Sequence, residues 1–192
     1  MIFWPDKFSK LMSKNQQSNT PKAKVVKDRI IYSINEEEKT STIISYKPKR
    51  EIIIPNTINY ETKEYTVTNI STDAFCGSSI KSIRFLPGSK LRTIERYAFF
   101  NSNIETLIIP SQFIELEEGW CINTKKLSKI KMNSSNPKYV CIKNKAIFCK
   151  TNPDQANYDR LIFCARENVK FIKIPNFIEH IDSCAFQYCR HL

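Results

Sequence analysis

Seven cysteines and two histidines carry the most reactive side chains in this sequence. The cysteines stand at Cys76, Cys121, Cys141, Cys149, Cys164, Cys184 and Cys189. Their number is odd and no Cys-x-x-Cys occurs, whereas disulfide frameworks and zinc clusters show regular, close spacings. Cys141, Cys149 and Cys164 fall on what reads as three adjacent strands, a spacing poorly suited to tetrahedral zinc. The thiols are therefore expected to be small buried hydrophobes, with no metal or cofactor site. Cys189 precedes His191, but no Gly-rich oxyanion loop or orienting Asn/Asp pattern accompanies them, as nucleophilic catalysis requires. His180 stands apart, and Glu117-Glu118 is a surface turn pair rather than a spaced acid–base couple. Three glycines in the whole chain supply no phosphate-cradling loop. No catalytic residue is assigned, and the chain reads as non-enzymatic.

Charge gives the next constraint. The formal net charge is +11, and residues 1–29 hold seven Lys/Arg against two Asp. Such a balance favours acidic partners. Yet the aromatic residues fall mostly on positions that read as buried, leaving few to stack on bases, and no nucleic-acid motif is present, so no nucleic-acid partner is expected. No run approaches the roughly 18 apolar residues of a membrane span. The apolar start, Met1-Ile-Phe-Trp4, is too short for a signal-peptide core of about 7–15 residues and is followed by Asp6 and Lys7. Asn69-Ile-Ser71 and Asn133-Ser-Ser135 fit the glycan acceptor pattern, which matters only for a secreted chain.

The elements that must position any site come from repetition. Residues 1–27 read as a flexible basic tail, with Trp4, Phe8, Leu11 and Met12 at helical spacing. Residues 28–192 read as one domain. Residues 28–50 form a capping hairpin, with alternation in Ile30–Ile34 and Thr42–Tyr46 on either side of Asn35–Lys39. Residues 51–132 are repeats; Pro55, Pro87, Pro110 and, later, Pro175 each follow an alternating apolar pair. Behind each proline comes Ile or Leu and then a two-residue step: Ala74-Phe75, Ala98-Phe99, Trp120-Cys121, Ala185-Phe186. A hairpin arm with its tip at Tyr60–Tyr65 lengthens the first repeat. Residues 133–168 read as an inserted three-stranded β-meander, and 169–192 as a last, truncated repeat.

One such unit cannot bury its own apolar face, so units must stack. Stacking aligns Ile83, Leu107, Ile130 and Ile172 in one ladder, Phe85, Ile109, Met132 and Ile174 in a second, and Phe75, Phe99 and Phe186 in an aromatic column. Each buried side chain contributes roughly 1.5–3 kcal/mol. Trp120 is too large for the Ala slot, so local distortion is expected there, with Gly119 giving the backbone room.

The motif Ile-Pro…Ile-x-x-x-Ala-Phe-x-x-Cys-x-x-Leu, matched closely at residues 175–192, resembles the BspA-like (Treponema pallidum-type) leucine-rich repeat family. The resemblance implies a mainly β, right-handed solenoid with short irregular or 3-10 segments and a parallel strand ladder on its concave face. It also implies a surface or secreted antigen that adheres to host proteins, matrix or other cells. The absence of a visible signal peptide favours an alternative, a cytoplasmic protein-interaction scaffold, and the uncapped last repeat is compatible with another, a truncated, non-functional fragment of a longer repeat protein. Leu192 would open another strand, and no polar cap follows it, so end-to-end self-association through the last repeat is expected.

Side chains alternate across a strand, so the ladder must turn a second set outward. These are Ser82, Thr106, Lys129 and Phe171 in one column and Arg84, Ile108, Lys131 and Lys173 in the next. Four of the eight are cationic, and the face is the candidate binding site for a protein or acidic glycan.

Overall fold

The computed structural model describes residues 23–132, 136–167 and 169–192. The expected helical spacing of Trp4, Phe8, Leu11 and Met12 lies outside the described residues, as does Asn133. Within them the regular structure is all strand, in three sheets. Strands β1 (Lys24–Lys27), β2 (Ile30–Asn35) and β3 (Thr40–Tyr46) run antiparallel at the N-terminal end. Residues 24–27, read from sequence as tail, therefore pair with β2, Val25 opposite Tyr32, because β2 would otherwise be an open edge.

From β4 (Glu51–Ile54) onward the chain coils. A hairpin of β5 (Thr57–Tyr60) and β6 (Lys63–Ile70) leads to β7 (Ser82–Phe85), β8 (Thr93–Ile94), β9 (Thr106–Ile109), β10 (Glu115–Leu116) and β11 (Lys129–Met132). Two parallel ladders result. The side built of four-residue strands, here the long ladder, orders β11-β9-β7-β4; the other, here the short ladder because it narrows to the two-residue strands β8 and β10, orders β3-β6-β8-β10. A third side is built of turns: the Phe75 N–H donates to Ala98 O at 2.8 Å, and the Phe99 N–H to Trp120 O at 2.9 Å. The turns bend through left-handed backbone at Asp73, Tyr97 and Gly119, and again at Gly77, Asn101, Asn123 and Tyr188.

The core fills the coil. Ile52, Ile83, Leu107 and Ile130 of the long ladder are buried together with Ile70, Ile94 and Leu116 of the short one. An aromatic column runs up the turn side: Tyr46 to Phe75 at 5.4 Å, Phe75 stacked on Phe99 at 5.3 Å, Phe99 to Trp120 at 6.1 Å, Trp120 to Phe163 at 5.9 Å. The expected distortion at Trp120 does not occur. Its carbonyl keeps the rung hydrogen bond, and the positive φ of Gly119 is shared by Asp73 and Tyr97 in the equivalent places. The bulk has moved one residue along the chain, with Trp120 supplying the ring and Cys121 taking the Phe place. Phe163, not Phe186, then continues the column.

After β11 the chain forms an antiparallel meander of β12 (Tyr139–Ile142), β13 (Ala146–Cys149) and β14 (Arg160–Cys164). Its entry seals both ladders. On the long side, the Ile130 N–H donates to Asn144 O at 3.4 Å and the Cys141 thiol to Ile130 O at 3.3 Å. On the short side, the buried Tyr139 hydroxyl accepts the Leu116 N–H at 3.0 Å. The meander then restarts the short ladder. β14 pairs in parallel with β15 (His180–Ile181), and the Cys164 N–H donates to Ala185 O at 2.8 Å, the same rung bond as at Phe75.

This corrects the sequence reading of the last repeat. Residues 171–174 form no strand and do not join the long ladder, because the Ile142–Lys145 turn already occupies the free edge of β11. Ile174 is exposed rather than stacked above Met132, and Ile172 is half-buried against the core without a place above Ile130 in the ladder. Phe171, expected to face outward beside Lys129, is 79% exposed but off the ladder.

A candidate binding face on the long ladder

The long ladder owes its two-sidedness to strict alternation. Ile52, Ile54, Ile83, Leu107, Ile109 and Ile130 point inward, with relative exposures of 0–2%. The residues between them must face out. In register these are Glu51 opposite Ser82, Ser82 opposite Thr106, and Thr106 opposite Lys129. The next column sets Ile53 opposite Arg84 and Ile108 opposite Lys131.

Six of the eight residues expected on this face are thus brought together: Ser82, Arg84, Thr106, Ile108, Lys129 and Lys131. Phe171 and Lys173 are not; both lie exposed beyond the sealed edge of β11. Two residues were missed. Glu51 and Ile53 of β4 extend the face by a strand, and the Ile52/Ile54 alternation carried the signal. The face is therefore less basic than the sequence suggested, with three cations against one carboxylate.

Its character is mixed. Ile53 is 49% exposed and Ile108 half-buried, alternating along one column with Arg84 and Lys131. Among the described residues the ion pairs are Lys81–Glu105, Lys138–Glu115 and Arg160–Asp182. None uses Arg84, Lys129 or Lys131. Lys81–Glu105, at 2.8 Å, joins the segments that lead into β7 and β9, while Ser82 to Lys129 is left for other contacts.

The reactive side chains lie elsewhere. Burial pushes the Cys121 thiol up to about 12, against the opposing pull of Arg166, and pushes Cys149 up to about 11. Protonated at neutral pH, such thiols are poor nucleophiles and metal ligands. The Cys189 thiol donates to the Ala165 carbonyl at 3.4 Å rather than to a histidine. Arg166, 2% exposed, donates through Nη1 to the Cys184 and Ala185 carbonyls at 3.1 and 3.0 Å. Its guanidinium sits 4.7 Å over the Phe163 ring. This buried arginine locks the last repeat to the meander, a structural role that sequence spacing gave no hint of. Among the described residues no helix is long and apolar enough to cross a membrane.

A family model described as the BspA type leucine rich repeat region matches in six copies, over residues 50–158 and 156–192. Among curated proteins none matches. Solved structures with a similar fold include a leucine rich cell surface protein from Faecalibacterium prausnitzii A2-165, at 16% identity over 91% of this chain and 70% of that one, with a TM-score of 0.43. The pneumococcal vaccine antigen PcpA aligns at 17% identity over 85% of this chain and 62% of that one, with a TM-score of 0.44. A leucine-rich repeat protein from Eubacterium ventriosum ATCC 27560 aligns at 14% identity over 86% and 57%, with a TM-score of 0.52. The chain spans between 57% and 70% of the length of these three. At such identities the likeness concerns the fold alone.

Proposed function

We propose a protein-binding role on the premise that the chain belongs to the BspA-type leucine-rich repeat family. The module is non-enzymatic and presents the outward face of its long ladder to a protein ligand. The observation that carries this is the column Ile53–Arg84 and Ile108–Lys131, where aliphatic and cationic side chains alternate on a rigid parallel sheet. Aliphatic groups supply desolvation energy, while the cations select an acidic partner and steer its approach. A parallel ladder spaces them at about 4.8 Å from strand to strand. The wider reading is adhesion at a cell surface, to host proteins, matrix or other cells, and it rests on the family.

The test compares the wild-type chain with Arg84→Glu/Lys129→Glu/Lys131→Glu and with Ile53→Asp/Ile108→Asp. Binding to immobilised extracellular-matrix proteins and to intact host cells is measured by interferometry and flow cytometry. Both variants should keep the wild-type melting temperature and lose at least tenfold in affinity. Unchanged binding by both would remove the ladder face from the function. Protease shaving of intact source cells addresses the wider reading, since a surface protein is cleaved and an internal one is spared.

A further inference from the structure

A concavity of about 610 Å³ lies on the β3-β6-β8-β10 side of the coil and shares no residue with the ladder face. Its volume falls within the range of small-ligand sites, about 300–1,000 Å³. Three cations line it, Lys39, Lys90 and Arg92, together with the hydroxyls of Thr40, Thr66 and Thr68. Gln112 completes the lining, in which Glu38 is the single carboxylate.

The backbone brings these groups together from four segments: residues 38–40, 66–68, 90–92 and Gln112. Thr40 and Thr66 are direct partners in the parallel pairing of β3 with β6. Thr68 falls at the β-bulge where the pairing register shifts from Val67 to Asn69, and it lines the same groove from there. The Thr66 N–H donates to Lys39 O at 3.0 Å, which holds the hairpin turn, where Lys39 has φ 51°, against β6. The Arg92 N–H donates to Thr68 O at 2.7 Å, and the Ile114 N–H to Arg92 O at 2.9 Å, bringing the next two coils alongside. The Lys90 ammonium donates to Gln112 Oε1 at 3.1 Å, which ties that cation to the next coil. Thr40 Oγ1 lies 3.5 Å from Glu38 Oε2 and turns toward the one acid.

Neither an aromatic nor an aliphatic side chain lines the groove. It offers no platform for a nucleobase and no pocket for an apolar anchor. It offers dispersed cations among hydroxyl and amide groups, with the one carboxylate, Glu38, next to Lys39 and engaged by Thr40. That combination fits a chain bearing several separated anionic groups with hydroxyls between them. We infer that this groove binds a sulfated oligosaccharide, whose sulfate esters pair with Lys39, Lys90 and Arg92 and whose ring hydroxyls exchange hydrogen bonds with Thr66, Thr68 and Gln112. The site stands apart from the protein-binding reading of the ladder face and does not depend on it.

The experiment is calorimetric titration with a heparin-derived octasaccharide, with the same sugar after desulfation and N-acetylation, and with inorganic sulfate, at 150 mM salt. Lys39→Glu/Arg92→Glu changes the net charge by the same amount as Lys129→Glu/Lys131→Glu on the ladder face. The groove variant should bind the octasaccharide at least tenfold more weakly, and the ladder control within twofold of wild type. The desulfated sugar should not bind, and inorganic sulfate should not compete at equal sulfate concentration. Thr68→Val, which leaves the charge intact, should weaken binding about threefold. Equal losses in the two charge variants would reduce the effect to diffuse electrostatics and overturn the assignment. Unaltered binding by the groove variant, or full competition by inorganic sulfate, would overturn it as well. Circular dichroism melts of each variant show whether a loss of binding is a loss of fold.

Discussion

Trp120 holds the seam between the regular coils and the meander, and its replacement tests that statement in numbers. The side chain is 3% exposed, with its ring 6.1 Å from Phe99 and 5.9 Å from Phe163. A tryptophan buries about 150–250 Å². At about 25 cal/mol per Å² that is worth about 4–6 kcal/mol, as an upper bound. One penalty opposes it: the indole Nε1 is buried without a hydrogen-bond partner, which costs about 1–3 kcal/mol. Trp120→Ala should therefore destabilise by about 3 kcal/mol. Trp120→Phe keeps a ring between Phe99 and Phe163 and removes the orphaned donor, so it should cost about 1 kcal/mol. The double change Trp120→Ala/Cys121→Phe restores the Ala-Phe step of the other coils, but it should not rescue stability. Arg166 Nη2 already sits 3.7 Å from Cys121 Sγ, where a phenylalanine ring would have to go. The assay is urea unfolding followed by far-ultraviolet circular dichroism, which does not depend on tryptophan emission. A Trp120→Ala midpoint equal to wild type, a Trp120→Phe cost as large as that of Ala, or recovery in the double variant would each refute the reasoning.

Two further expectations follow from burial and from the sealed edge. Burial raises the thiols of Cys121 and Cys164 to about 12, and those of Cys141 and Cys149 to about 11. These groups stay protonated in the folded chain after the unfolded chain has lost its protons, so stability is full below about pH 9 and falls as pH rises toward 11–12. Cys121 alone sets a slope of about 1.4 kcal/mol per pH unit in that window; thermal melts from pH 7 to 11 measure it, and a flat profile would contradict the burial. Phe171→Ser and Lys173→Glu, both beyond the ladder, should leave ladder-face binding within twofold of wild type and the melting temperature within about 1 °C, since exposed substitutions usually change stability by under 0.5 kcal/mol. Loss of ladder-face binding in either would return residues 171–173 to the face.

How far the sequence could be read depended on whether a residue answers to its own strand or to a neighbour. Alternation in Ile83/Phe85 and Leu107/Ile109 settles which side chains of those strands face inward, because that is decided by covalent geometry along the strand. The left-handed turns and the Ala-Phe steps repeat at the same offsets and are equally local. The segment Phe171–Ile174 shows the limit. Its pattern matches that of β7 and β9, yet a β-strand exists only where a partner edge is open to its N–H and C=O groups. That edge is taken by the Asn144 carbonyl and the Cys141 thiol, both from a segment whose own pattern says nothing about where it will dock. The substitution at Trp120-Cys121 is the same case seen from inside the core. The pair departs from the Ala-Phe step, and the reason becomes visible only when Phe163 and Arg166 arrive from the meander to fill the space around it. Both misreadings therefore have one cause. The meander is a lid on two ladders and the base of the next short one, and a residue's place in the coil past β11 is set by what that lid leaves open. The candidate face has the same boundary: it ends at Lys129 and Lys131 because the long ladder ends there, so a ligand that follows the ladder meets the meander at its far end rather than another rung.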